Sequence, residues 1–147
     1  MTKQIKVFAP KKEIKGVVKL TGSKSIANRV LLIRALCDQY FEIENISESD
    51  DTNTLLQLLS SDAYELDAHH AGTTFRFMTA YLALKGQERV LTGSTRMKQR
   101  PVGPLVEALN SLGCNITYLE NEGYPPLKFG HNTQSLSNEV SIKGNVS

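Results

Sequence analysis

Tryptophan is absent from this chain of 147 residues, cysteine occurs only twice, and aromatic residues make up just 7% of it. Cys37 and Cys114 both stand in leucine-rich surroundings. Two such residues make neither a disulfide framework nor a zinc-ligand spacing, so a reducing cytoplasm is the simplest setting. No apolar run reaches the ~18 residues that a membrane span needs. The opening Met1-Thr2-Lys3-Gln4-Ile5-Lys6 lacks the apolar stretch of a signal peptide. Charge of one sign is also lacking: 17 basic against 15 acidic residues leave a net +2. That is too little bias for a nucleic-acid binder, and no aromatics interleave with the basic loops. Neither a nucleic acid nor a membrane is expected as a partner, and any basic site must be local. The remainder is ordinary: 40% hydrophobic residues, spread along the whole length. This suits one globular domain, or a piece of a larger one, burying roughly two thirds of its unfolded surface.

Local patterns predict an α/β chain. Ile5–Phe8 and Val17–Leu20 read as short strands around Pro10 and Gly16. Ile26, Val30, Ile33 and Cys37 follow at helical steps and predict one buried helix face. Phe41–Ile46 alternates like a strand. The second helix carries Leu55, Leu56, Leu58 and Leu59; Thr54 with Gln57 has capping-box spacing, while Ser49 or Asp51 could equally cap it. Tyr64–Ala68 is a short strand. Ala71 opens a third helix with Phe75, Met78 and Leu82 on one side and Gly86 at its end. Val90–Thr92 is a strand end. Pro101 suits a first helical position before the stripe Leu105, Leu109 and Leu112, which Gly113 terminates. Asn115–Leu119, Leu127–Phe129 and Val140–Ile142 read as strands. One tetrapeptide recurs: Leu20-Thr21-Gly22-Ser23 and Leu91-Thr92-Gly93-Ser94. Each copy precedes a cation, Lys24 or Arg96, and a helix, which suggests a duplicated βα unit.

Three loops combine glycine, hydroxyls and cations at helix starts. In Gly22–Arg29, glycine admits a close ligand, the helix start offers free N–H groups, Lys24 adds a mobile cation and Ser25 a hydroxyl. Arg29 lies one turn beyond Ser25, so both can face one ligand. His70–Arg76 repeats the logic with Gly72, Thr73, Thr74 and Arg76. Arg96, Lys98 and Arg100 crowd a third loop. Each loop taken singly also fits a capped helix with solvated cations. Together they favour one polyanion site, because crowded like charges are costly without an anion. Asp50 and Asp51 read most simply as dipole-stabilising residues at a helix start. His69 and His70 lack a third ligand at a telling spacing, so no metal is expected. Cys37 and Cys114 read as packing residues.

At these loops the chain resembles the 5-enolpyruvylshikimate-3-phosphate synthase family, the 3-phosphoshikimate 1-carboxyvinyltransferases. The motif G-S-K-S-x-x-N-R matches Gly22–Arg29, S-D-D matches Ser49–Asp51, A-G-T-x-x-R matches Ala71–Arg76, and L-T-G-x-x-R-M-x-x-R-P matches Leu91–Pro101. The resemblance implies an inside-out α/β barrel domain built from repeated βαβαββ-type units. It implies transfer of the enolpyruvyl group of phosphoenolpyruvate to the 5-hydroxyl of shikimate 3-phosphate, with no metal or organic cofactor. By motif, Lys24 is expected to contact both substrates and to be the catalytic group. Ser25 and Arg29 would hold the shikimate carboxylate, and Gly72 and Arg100 would border the phosphate of phosphoenolpyruvate. Asp51, Arg76 and Arg96 would support them.

The resemblance also frames the chain as an N-terminal fragment. Residues 1–21 would be an arm joining the second domain of the full enzyme, and 22–147 an incomplete first domain of about two of three folding units. The family's S-S-Q loop would follow Val146, and the chain stops at Ser147, so the missing C-terminal part counts as a partner and the chain alone is expected to be inactive. Within the motifs, His70 replaces a frequent Asn, Gln99 a frequent Glu, and the link from Leu59 to Ala71 is short. The alternatives are a non-catalytic anion-binding domain of the same fold and the sister enzyme acting on UDP-N-acetylglucosamine. The latter typically carries G-A-K-N where Gly22-Ser23-Lys24-Ser25 stands.

Overall fold

A computed structural model describes residues 5, 8, 15–37, 40–132 and 135–142. Its centre is a four-stranded mixed sheet, ordered β1-β2-β4-β3. β1 (Glu65–Asp67) and β2 (Arg89–Thr92) run parallel, pairing Leu66 with Leu91. A parallel pair needs a crossover, and α3 (Gly72–Lys85) supplies it. Behind β2 follow a single helical turn, α4 (Thr95–Lys98), and α5 (Gly103–Ser111). The chain returns as β3 (Ile116–Tyr118) and β4 (Leu127–Phe129), β4 lying antiparallel to both β2 and β3. The order β1-α3-β2-α5-β3-β4 is one complete βαβαββ run. Two further helices, α1 (Lys24–Leu36) and α2 (Asp50–Leu59), pack against each other and against α3.

The core forms where helix stripes meet the sheet. Phe75, Met78 and Leu82 of α3 are sealed, as the sequence spacing predicts, and meet Leu91, Leu127 and Phe129 of the strands. Val106 and Leu109 of α5, which packs beside α3, belong to the same core, with Leu105 and Leu112 packed against it. Gly86 ends α3 in a left-handed conformation (φ 59°), and Gly113 follows α5 at φ 100°. Both are backbone states that glycine reaches without a Cβ penalty.

Several expectations are corrected. Of the strand expected over Ile5–Phe8, Lys6 and Val7 lie outside the described residues. Val17–Leu20 pairs with no strand among the described residues, and Val17, Val18 and Leu20 are exposed. Val140–Ile142 is likewise unpaired and exposed. Phe41–Ile46 forms a turn, not a strand: Asn45 adopts φ 49°, and Ile43 and Ile46 pack on the core from either side of it. On α1 the buried face is Ala27, Asn28 and Leu31, whereas Ile26 and Ile33 are 65% and 54% exposed. The helix is apolar on both faces, so its spacing could not choose between them. Cys37, read as a packing residue, is exposed; Cys114 is buried as expected. Pro101 lies outside α5, whose N-cap is Val102 and whose early proline is Pro104. Proline disfavours helical geometry in the residue before it, so Arg100 stays in a loop between α4 and α5.

The repeated tetrapeptide has a matched structural setting. Ser23 is the N-cap of α1 and Ser94 that of α4. A Cβ on Gly22 would collide with the carbonyl of Asn45, and one on Gly93 with the carbonyl of His69. Asn45 and His69 have nearly equal positive φ, 49° and 50°. In both copies, then, glycine lets a residue of positive φ from another segment, later in the chain at Gly22 and earlier at Gly93, press on the helix entry.

Burial pushes the Cys114 thiol up from its ordinary range, which lowers its reactive thiolate fraction. At pH 8 a thiol-reactive reagent is expected to label Cys37 quickly and Cys114 only on unfolding; equal rates for both would contradict the packing. Phe75→Ala, which empties a fully buried site, is expected to cost about 3–5 kcal/mol in urea unfolding.

Candidate functional site

Side-chain bonds join the starts of α2 and α3 to each other and tie α2 to the second turn of α1. Thr52 is completely buried and donates its hydroxyl to Asn28 Oδ1 of α1 at 2.8 Å. The same hydroxyl lies 3.0 Å from Ser49 Oγ. Ser49 also accepts the Thr52 N–H, making it the cap of α2, rather than Thr54 or Asp51. On the other side, the buried Thr74 donates its hydroxyl to the carbonyl of Asp51 at 2.8 Å, fixing α3 to α2. Asn28 Nδ2 is buried without a partner among the described residues.

Around this frame stand the cations. Lys24, in the first turn of α1, reaches Asp51 Oδ2 at 3.4 Å, with its side chain half exposed and that of Asp51 more enclosed. Arg29 donates to the carbonyl of Ser25 at 2.8 Å and lies over the Phe77 ring, 5.9 Å from its centroid. It is therefore anchored between its own helix and α3 while keeping other N–H groups unspent. Ser25 is exposed. At the start of α3, the Arg100 guanidinium occupies the space beside Gly72 that any side chain would fill. Arg76 lies behind it and donates to the carbonyls of Gly72 (3.2 Å) and Pro101 (3.0 Å). Its pKa is lowered, first by burial and then by the nearby Arg100 charge. Arg96, Arg100, His70 and Met97 line a recess of about 420 Å³.

The sequence-predicted residues thus fall into two contacting groups. Lys24 and Asp51 form one; Gly72, Arg76, Arg100 and Arg96 form the other. Arg29 and Ser25 bond each other and stand on the α1 side. The Asp51–Thr74 bond bridges the two groups. Thr52 is the contributor that sequence reasoning missed, and Thr74, expected as a loop hydroxyl open to a ligand, is instead buried and committed to Asp51. A hydroxyl spaced three residues from Ser49 was the available signal for Thr52; nothing local marked Thr74 as a tie to a neighbouring helix. His69 faces Asp67 at 3.2 Å, and no group of three or more His, Cys, Asp or Glu gathers among the described residues.

The family described as EPSP synthase (3-phosphoshikimate 1-carboxyvinyltransferase) matches residues 8–61 and 57–147. The chain belongs to the EPSP synthase family. A 3-phosphoshikimate 1-carboxyvinyltransferase of Bacteroides fragilis is 42% identical over 135 residues, covering 92% of this chain and 33% of the relative. One from Photobacterium profundum is 40% identical over 164 residues, covering 94% and 38%. The chain therefore spans about a third of the length of the curated relatives it matches. A solved EPSP synthase from Acinetobacter baumannii superposes with a TM-score of 0.69 at 19% identity, over 78% of this chain and 32% of that one. The fold is thus the family's α/β fold.

Thr52→Val keeps the side-chain volume but removes the hydroxyl from Asn28 and Ser49, leaving a buried amide without either partner. An equilibrium-unfolding comparison is expected to show a loss of about 1–3 kcal/mol, with Thr52→Ser retaining most of the stability. Equal stability of Thr52→Val and the parent would show that the hydroxyl carries no structural load.

Proposed function

We propose that this chain supplies part of the substrate site of an enolpyruvyl transferase, which moves the enolpyruvyl group of phosphoenolpyruvate to the 5-hydroxyl of shikimate 3-phosphate. The observation that carries the reading is Arg100 seated on Gly72 with Arg76 behind it. Two guanidiniums held close, with no carboxylate paired to them among the described residues, favour a multiply charged anion between them and solvent. Phosphoenolpyruvate supplies a phosphate and a carboxylate, and shikimate 3-phosphate supplies the same two groups.

In this reading Lys24 is the catalytic group and contacts both substrates. Its ion pair with Asp51 holds the ammonium at the α2 start until an anion competes for it. Ser25 and Arg29 take the shikimate carboxylate, the guanidinium using N–H groups not already given to the Ser25 carbonyl. Gly72 and Arg100 border the phosphate of phosphoenolpyruvate; the missing Cβ is what allows the guanidinium, and with it the phosphate, to approach the start of α3. Asp51, Arg76 and Arg96 position and charge the site. Attack of the hydroxyl on the enol carbon and loss of phosphate need alignment and charge neutralisation, and these groups are suited to both.

Because the relatives are about three times as long, turnover is assigned to the chain together with the remaining part of such a protein. Residues 1–21 would join a second domain, 22–147 would be part of the first, and the reaction would run in the cytoplasm. The exposed Ile26 and Ile33 face of α1 supports this division, since an apolar helix face gains by being covered.

Titration of phosphoenolpyruvate into the labelled chain is expected to move the amide resonances of Gly22–Arg29 and Ala71–Arg76, with weak, about millimolar affinity. Arg100→Gln is expected to abolish the shifts in the second segment. Shifts confined to other surfaces would overturn the reading. A coupled phosphate-release assay on the chain alone is expected to show no turnover at ordinary enzyme rates, about 1–10³ per second.

A further inference from the structure

The recess beside Gly72 contains one group whose chemistry differs from its neighbours. Its walls are Arg96, Arg100 and His70, and Met97, fully buried, is among its lining residues. The loop that presents His70 is pinned. The carbonyl of His69 accepts the N–H of Ser94 at 2.9 Å, and the N–H of His69 donates to Asp67 Oδ1 at 2.7 Å. The His69 ring is turned to Asp67. His70 is the next residue and faces the entry of α4.

The surrounding charges are accounted for. Asp67 is engaged by His69, Lys98 pairs with Glu120 at 2.7 Å, and Lys24 pairs with Asp51 on the α1 side. No carboxylate lines the recess among the described residues; its other two polar walls are permanently charged guanidiniums. An imidazole is the side chain type that changes charge between pH 5 and 8. A dianion bound between the two guanidiniums places negative charge beside the imidazole and favours its charged form.

We propose that His70 is a proton-linked ligand of this recess: binding of a tetrahedral dianion at Arg96 and Arg100 is accompanied by uptake of one proton from solvent onto the imidazole. By linkage, the proton and the anion strengthen each other's binding by the same factor, so affinity rises as pH falls. This rests on the reading of the recess as an anion site. It assigns a specificity role to His70 and favours dianionic over monoanionic ligands.

Sulfate is the appropriate probe, because its own charge is constant over this range. Isothermal titration at fixed ionic strength would compare pH 5.5 and pH 8 for the parent chain, His70→Asn and Arg100→Gln. The parent is expected to bind sulfate about three- to tenfold more tightly at pH 5.5, with a heat that depends on buffer ionisation as proton uptake requires. His70→Asn is expected to lose the pH dependence and keep the pH 8 affinity, and Arg100→Gln to lose binding at both. Parent binding that is flat with pH, or a slope that survives in His70→Asn, overturns the proton linkage and leaves the anion site standing. No sulfate binding at either pH, or binding that Arg100→Gln leaves unchanged, overturns the anion reading itself.

Discussion

The cationic end of this molecule depends on one buried hydroxyl. Thr52 stands between α1 and α2, serves Asn28 and Ser49 at once, and has no exposure to water that could replace either partner. A buried polar group of this kind is costly when unpaired and directional when paired. It therefore fixes the rotation and register of two helices more sharply than leucine contacts can. Thr74 extends the same device to α3 through the Asp51 carbonyl. Three helices are set against one another by hydrogen bonds before any cation is placed.

The cations are then added at a cost in mutual repulsion, and the fold limits it in two ways. Backbone carbonyls receive them: Gly72 and Pro101 take Arg76, and Ser25 takes Arg29. A single carboxylate, Asp51, takes Lys24. Carbonyl oxygens hold a guanidinium in place without cancelling its full charge, so the positive potential at the α3 start survives. A carboxylate in the same position would satisfy the arginine and close the site to anions. The proline at 101 contributes to this arrangement, since it keeps Arg100 out of a helix and free to lie back over Gly72.

The two halves of the chain differ in how completely they are covered. Residues 65–129 form a βαβαββ run whose buried side chains share one core with Leu31 of α1 and Leu55 and Leu58 of α2. The helices α1 and α2 rest on α3 without strands of their own among the described residues, and α1 keeps large apolar side chains exposed. That asymmetry accords with a chain that matches about a third of its relatives' length.

Sequence alone was enough for those features that local chemistry dictates. The α3 stripe, the left-handed stop at Gly86, three of the four motif loops as helix entries and the strands around Leu66, Leu91 and Phe129 were legible, because spacing and turn residues act within a few positions. It could not decide which face of α1 is buried, because Ile26-Val30-Ile33 and Ala27-Leu31 are both apolar and only neighbouring helices choose between them. It misread Phe41–Ile46, because alternation makes a strand only where another strand is present to pair with it. The contacts of Arg100 with Gly72 and of Thr74 with Asp51 join residues 28 and 23 positions apart. Such contacts are set by how the sheet and helices pack, and no local propensity encodes them.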